Sequence, residues 1–92
     1  MKQVSILGAT GSIGGSTLKV IRSNPGQFAV HSVVAHKNVD KMFLICQEFT
    51  PQYAVMADEE AADDLRKLVA RGGLKTEVLG GEAAIVSLVK EP

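Results

Sequence analysis

Short apolar runs alternate with amphipathic stretches along the whole chain. The apolar runs Gln3–Leu7, Ala29–Ala35, Tyr53–Met56 and Thr76–Leu79 have the length and character of buried strands. Between them, apolar residues recur at steps of three and four, which predicts helices. Strict alternation of strand and helix predicts an α/β fold. We expect a Rossmann-like parallel sheet with helices on both faces, truncated after about four strands.

Cap and turn residues set the bounds of the predicted helices. Asn and Asp before an apolar stripe favour a helix start, whereas Pro and Gly after it favour a stop. The predicted helices run from about Ser12 to Ser23, Asn38 to Phe49, Asp58 to Arg71 and Gly81 to Val89.

Three glycines follow the first predicted strand at a spacing of three. Residues 4–14 read VSILGATGSIG, so an apolar strand runs directly into the glycine turn and then into a helix. Such a turn presents free N–H groups and the positive end of a helix dipole to one point. Gly8 permits a sharp exit, Gly11 allows close backbone approach, and Gly14 allows tight helix packing. The motif predicts binding of a nucleotide pyrophosphate; a glycine-rich turn without a ligand is the alternative.

The tip of the second strand predicts which dinucleotide is bound. An acidic residue there would bind the ribose hydroxyls of NAD, but residues 34–38 read VAHKN and contain no carboxylate. Lys37 stands where a 2′-phosphate would lie, Asn38 offers amide donors, and His36 could stack on adenine or bond the phosphate. This pattern favours NADP over NAD. In the alternative, His36 and Lys37 are solvated loop residues and Asn38 is only a helix cap.

Composition narrows the classes of function. The 92 residues form one small domain or part of a larger one, and 46% hydrophobic against 22% charged residues suggests apolar faces that meet another surface. Ten basic and ten acidic side chains give no net charge, so we expect no nucleic-acid partner. We also expect no membrane segment and no signal peptide, hence a cytoplasmic protein.

Other chemistry-bearing residues favour structural roles. Cys46 is the single cysteine, lies on an apolar stripe, and has no predicted thiolate-stabilising neighbour. His31 lies inside the second strand and is expected to be packed or half exposed. Five acidic residues lie near the start of the third predicted helix, and their spacing suits a solvated helix start better than a metal site. They are Asp58, Glu59, Glu60, Asp63 and Asp64.

Several segments together resemble the start of the 1-deoxy-D-xylulose 5-phosphate reductoisomerase family. They are ILGATGSIGGSTL at residues 6–18, NP at 24–25, VAHKNV at 34–39 and FTPQYAV at 49–55. The resemblance begins at Met1 and covers nearly the whole chain. The glycine turn alone would also suit an aspartate-semialdehyde dehydrogenase, another NADP-dependent dehydrogenase, a sugar epimerase, or a nucleotide-binding module without catalysis.

The resemblance implies an oxidoreductase and isomerase that depends on NADPH and a divalent metal, Mg or Mn. Family members convert 1-deoxy-D-xylulose 5-phosphate to 2-C-methyl-D-erythritol 4-phosphate in the methylerythritol phosphate pathway of isoprenoid biosynthesis, as cytoplasmic or plastid homodimers. Residues 1–92 would then be the N-terminal part of an NADP-binding Rossmann-like domain, without the catalytic and C-terminal domains. The family's metal ligands, an aspartate and two glutamates, would lie beyond residue 92. We therefore expect no catalytic residue and no metal ligand here, and no activity from the fragment alone.

The resemblance also implies which residues bind the cofactor. The pyrophosphate side would be held by the glycine turn, and the 2′-phosphate side by the tip of the second strand, where the family often has glycine in place of His36. The implied cofactor-binding residues are Gly8, Thr10, Gly11, Ser12, Ile13, Gly14, His36, Lys37 and Asn38.

A sheet truncated after four strands also predicts self-association. The first strand would then have an unpaired edge, through which the fragment could associate with another copy.

Overall fold

The computed structural model describes residues 2–84 and alternates strands with helices as predicted. The bounds agree with the sequence prediction to within about two residues. The last predicted helix lies mostly outside the described residues, apart from a helical start at 82–84. In chain order the elements are β1 Lys2–Leu7, α1 Ser12–Ser23, β2 Phe28–Ala35, α2 Val39–Phe49, β3 Tyr53–Met56, α3 Glu59–Arg71 and β4 Glu77–Gly80.

The four strands form one parallel sheet in the order β1-β2-β3-β4. Parallel crossovers are right-handed, so successive steps in one direction place α1, α2 and α3 on the same face. A bidentate ion pair between Arg22 of α1 and Glu48 of α2 joins these neighbouring helices on that face. The helices expected on the other face of the sheet therefore lie outside the described residues.

The hydrophobic core lies between the sheet and this layer of helices. Val33 of β2, Met42 of α2 and Leu65 of α3 have no measurable exposure. Cys46 is equally buried on the apolar stripe of α2, and burial raises the pKa of its thiol to about 11. Full burial confirms that Cys46 belongs to the core, and a thiol with a raised pKa is a poor nucleophile.

Strand β1 lies at the border of the described sheet. Within residues 2–84 it pairs with β2 alone, and its register shifts between Val4 and Ser5. The Ser32 hydroxyl donates to the Ser5 hydroxyl at 2.8 Å beside this irregularity. His31, also in β2, packs edge-on against Tyr53 with ring centroids 5.4 Å apart, as expected of a strand residue. The outer edge of β1 is open in the described part of the chain.

Candidate nucleotide-binding site

The turn after β1 is closed by its own backbone. Gly8 has φ of +68°, a left-handed conformation that turns the chain sharply out of the strand. The Gly11 N–H donates to the Gly8 carbonyl at 2.9 Å, and the Ala9 N–H donates to the Val34 carbonyl at 2.8 Å. The second bond attaches the turn to the end of β2. The glycine turn is thus held by hydrogen bonds that do not involve a ligand.

Gly14 brings α1 into direct contact with this turn. A Cβ on Gly14 would lie 2.3 Å from the Gly8 carbonyl oxygen and 2.7 Å from the Ala9 Cα, so no larger residue fits without displacing backbone. Gly14 is buried beneath the turn, and its part is therefore packing. A Cβ added to the next residue, Gly15, would have no other atom within 4 Å. The third glycine of the motif has the packing role that its spacing predicts.

The amino end of α1 has no cap from the protein. The first helical hydrogen bond runs from the Gly15 N–H to the Gly11 carbonyl at 2.9 Å. Within residues 2–84, no acceptor is found for the N–H groups of Thr10, Ser12 and Ile13. The N-cap residue is glycine and the first turn holds no acidic residue. Several donors and the positive end of the helix dipole thus remain available to an anion.

The other two helices are capped by side chains. The Asn38 Oδ1 accepts from the Lys41 N–H at 3.2 Å at the start of α2. The Asp58 carboxylate accepts from the Ala61 N–H at 3.0 Å at the start of α3, where Glu59 and Glu60 add negative charge. Of the three described helices, α1 is the one that has no side-chain cap.

The residues around this open helix end are accessible. Gly11, Ser12 and Ile13 are exposed, and Thr10 is partly buried. Two large apolar side chains stand out at the same edge: Ile13 is 84% exposed and Leu7 is 63% exposed. Apolar surface next to anion-binding donors suits a ligand with both phosphate and ring systems.

The turn after β2 lies beside the glycine turn. His36, Lys37 and Asn38 are all exposed. The His36 carbonyl accepts from the Asp58 N–H at 3.0 Å, which ties this turn to the start of α3. Asn38 uses its side-chain oxygen as the predicted cap, while its amide N–H groups have no partner within the described residues. Because β1 and β2 are adjacent and parallel, the two predicted halves of the site meet at the carboxyl ends of these strands.

A cation that the sequence prediction left out also reaches this edge. A groove of about 360 Å³ separates α1 from α2, and Lys41 lines it together with Ala9 and Thr10. The apolar stripe of α2, from which this helix is predicted, gives no signal for Lys41. Its position, three residues after the cap Asn38, is the signal that could have found it.

The acidic run at the start of α3 is accounted for by helix chemistry. Asp58 is the cap, and Asp63 accepts from Arg66 at 2.6 Å. Among residues 2–84, no three His, Cys, Asp or Glu side chains are grouped so that they could hold a metal ion. None of the described helices is long and apolar enough to cross a bilayer.

Comparison with known proteins identifies the family. The family model described as 1-deoxy-D-xylulose 5-phosphate reductoisomerase matches residues 4–92. The reductoisomerase of Proteus mirabilis (strain HI4320) is 53% identical over 85 residues, which is 92% of this chain. The chain spans about a fifth of that relative, 21% of its length.

Solved structures of reductoisomerases share the fold. A reductoisomerase in complex with NADPH, fosmidomycin and magnesium superposes with a TM-score of 0.89 at 33% identity, over 95% of this chain and 21% of that one. The Zymomonas mobilis enzyme in complex with NADPH gives a TM-score of 0.87 at 35% identity, over 94% of this chain and 22% of that one. Because the family model matches residues 4–92 and the fold is shared with these solved structures, the chain belongs to the 1-deoxy-D-xylulose 5-phosphate reductoisomerase family.

Proposed function

We propose that residues 1–92 are the N-terminal part of an NADP-binding Rossmann-like domain and that their function is to bind NADPH. The observation that carries the proposal is the uncapped start of α1 next to the turn at Gly8. Two of the similar solved structures are complexes with NADPH, which supports the same ligand here.

The described residues fit the two charged parts of this cofactor. The N–H groups of Thr10, Ser12 and Ile13 would donate to the pyrophosphate, and the absence of a side chain at Gly11 leaves room for it. Lys37 and the amide of Asn38 would hold the adenosine 2′-phosphate. NADPH supplies a hydride to an aldehyde; what this part of the protein contributes is binding and orientation.

The reaction of the whole protein is proposed from its family. It would convert 1-deoxy-D-xylulose 5-phosphate to 2-C-methyl-D-erythritol 4-phosphate with NADPH and a divalent metal, Mg or Mn, in isoprenoid biosynthesis. In this proposal the metal and substrate contacts come from residues beyond position 92, as the family resemblance implies. The chain of residues 1–92 alone would therefore be inactive. A cytoplasmic location suits its one buried, unpaired cysteine.

Ligand titration tests the proposed binding function. The purified 92-residue chain is titrated with NADPH, NADH and ATP, and nicotinamide fluorescence and calorimetry report binding. We expect saturable binding with NADPH preferred over NADH. No saturable NADPH binding, or equal binding of ATP, would refute the proposal and favour a general nucleotide-binding module. Turnover of substrate by the same chain would refute the proposed lack of activity.

We also propose that the whole protein is a homodimer and that the 92-residue chain self-associates through the open edge of β1. This edge presents backbone donors and acceptors without a strand partner in the described sheet, and Gln3 and Ser5 are exposed there. Sedimentation of the chain well above micromolar concentration should show dimers or larger species. A single monomeric species under these conditions would contradict the edge-mediated association.

A further inference from the structure

The groove between α1 and α2 brings a lysine from α2 to the glycine turn. Its lining includes Ala9 and Thr10 from the glycine turn and Lys41 from the first turn of α2. The Lys41 N–H is bonded to the Asn38 side chain at 3.2 Å. Lys41 is thereby held next to the turn that carries His36 and Lys37, while it shares a groove with Thr10.

The charge on Lys41 has no structural use in the described part of the chain. Arg22 lines the same groove but is paired with Glu48. Lys41 is exposed and forms no ion pair with any residue of 2–84. It also stands in the first turn of a helix, where the helix dipole disfavours a cation. A cation at an electrostatically unfavourable position beside a proposed phosphate site suggests a role in binding.

We infer that Lys41 is a specificity-determining residue that contacts the adenosine 2′-phosphate and favours NADPH over NADH. This inference rests on the proposed NADPH-binding function. An anion between the two turns would meet Lys37 from the end of β2 and Lys41 from α2. Two cations converging on a dianionic phosphate give a larger gain for NADPH than for NADH, which has only a hydroxyl at that position.

Charge-removing variants of the 92-residue chain test the inference. Lys41→Met keeps the length and apolar stem of the side chain but removes its charge. Lys41→Arg restores a cation. Lys19→Met is the matched control, because Lys19 lines the same groove but lies seven residues after the start of α1, roughly 10 Å along the helix axis.

Dissociation constants for NADPH and NADH supply the main readout, with 2′,5′-ADP and 5′-AMP as probes that lack nicotinamide. We expect Lys41→Met to weaken NADPH and 2′,5′-ADP binding by about tenfold, and NADH and 5′-AMP by less than about twofold. Lys41→Arg should recover most of the NADPH affinity. Lys19→Met should change each constant by less than about twofold.

Two different failures can be told apart. Equal weakening of NADPH and NADH by Lys41→Met, or no weakening of either, would overturn the specificity role while leaving the proposed function intact. Failure of the unsubstituted chain to bind NADPH would overturn the proposed function and this inference together. Circular dichroism and thermal unfolding of each variant separate loss of fold from loss of contact.

Discussion

The starts of α1 and α3 differ in how each satisfies its free backbone N–H groups. At α3 the protein supplies the acceptor itself: Asp58 caps the helix, and Glu59 and Glu60 follow in the first turn. At α1 the N-cap is Gly11, with no side-chain cap and no acid in the first turn. A glycine N-cap costs only roughly a few tenths of a kcal/mol of helix stability relative to Ser, Thr, Asn or Asp. The anion site proposed for this protein therefore coincides with the one start, among the three described helices, that no side chain caps.

The same contrast explains how an acidic run can mislead. Five carboxylates near residues 58–64 attract attention as possible metal ligands, yet they serve the start and the exposed face of α3. The glycine turn at residues 8–14 carries no charged side chain, yet the proposed pyrophosphate site lies there. A charged side chain at a helix start is therefore not by itself a sign of a ligand site in this chain.

The largest effect is expected from Gly14→Ala, which attacks the contact between α1 and the glycine turn. The new Cβ would overlap the Gly8 carbonyl oxygen. We expect the free energy of unfolding to fall by about 3 kcal/mol and NADPH binding to be lost as well. Urea unfolding measures the change. Gly15→Ala is the control, because its Cβ meets nothing within 4 Å; it should stabilise the chain by about 0.5–1 kcal/mol. Equal effects of the two variants would contradict the packing role of Gly14.

A second variant, Ser12→Glu, makes the start of α1 resemble that of α3. The carboxylate should stabilise the helix by about 0.3–1 kcal/mol and weaken NADPH binding by about tenfold or more, because it occupies the same donors and repels the pyrophosphate. Thermal unfolding and fluorescence titration measure the two opposite effects. Ser16→Glu, one turn later, should leave affinity nearly unchanged. If the affinity for NADPH survives Ser12→Glu, the anion does not bind at this helix end.

Removing the cap of α3 is expected to act on stability alone. Asp58→Ala leaves the Ala61 N–H without its acceptor and should cost about 1 kcal/mol. NADPH affinity should stay within twofold of the original value, roughly 0.4 kcal/mol. Asp63→Ala on the exposed face of α3 is the matched control and should cost less than about 0.5 kcal/mol. A large loss of affinity in Asp58→Ala would mean that the cap helps to position the turn at His36, whose carbonyl accepts from the retained backbone N–H of residue 58.

The smallest effect concerns the opposite end of α1, where Arg22 pairs with Glu48. The hydrogen bond from Arg22 lowers the pKa of the Glu48 carboxyl below its ordinary value of 4.5. A carboxyl with a lowered pKa in the folded state stabilises that state above its unfolded pKa, and this stabilisation is lost as the pH falls through the lowered value. Glu48→Gln should therefore flatten the acid side of the stability profile slightly, as read from urea midpoints between neutral and acidic pH. An unchanged profile would show that solvent screens this exposed pair completely.

Most of the fold could be predicted because its signals are local. The caps Asn38 and Asp58 mark the starts of α2 and α3 through bonds to residues three positions away. The glycine turn likewise depends on neighbours in sequence, with Gly11 bonded to Gly8. These parts of the molecule need no knowledge of the tertiary structure.

Features that depend on distant partners could not be predicted. The irregularity at Ser5 involves Ser32, and the pair between Arg22 and Glu48 joins residues 26 positions apart. Thr50 ends α2 with φ of +44°, a conformation that its residue type does not favour. The position of Lys41 in the groove also depends on how α1 and α2 pack together. The proposed site residues of the two turns therefore follow from local motifs, whereas the place of Lys41 in the groove required the structure.

The hydrogen bond from Ala9 to Val34 has a consequence for the thermodynamics of ligand capture. It joins the glycine turn to β2, and the bond from the Asp58 N–H to the His36 carbonyl joins the turn after β2 to the start of α3. Both turns are thus held by hydrogen bonds in the free chain, so ligand binding would cost less loop entropy. A preorganised site of this kind would let residues 1–92 alone bind the proposed dinucleotide, NADPH, with measurable affinity.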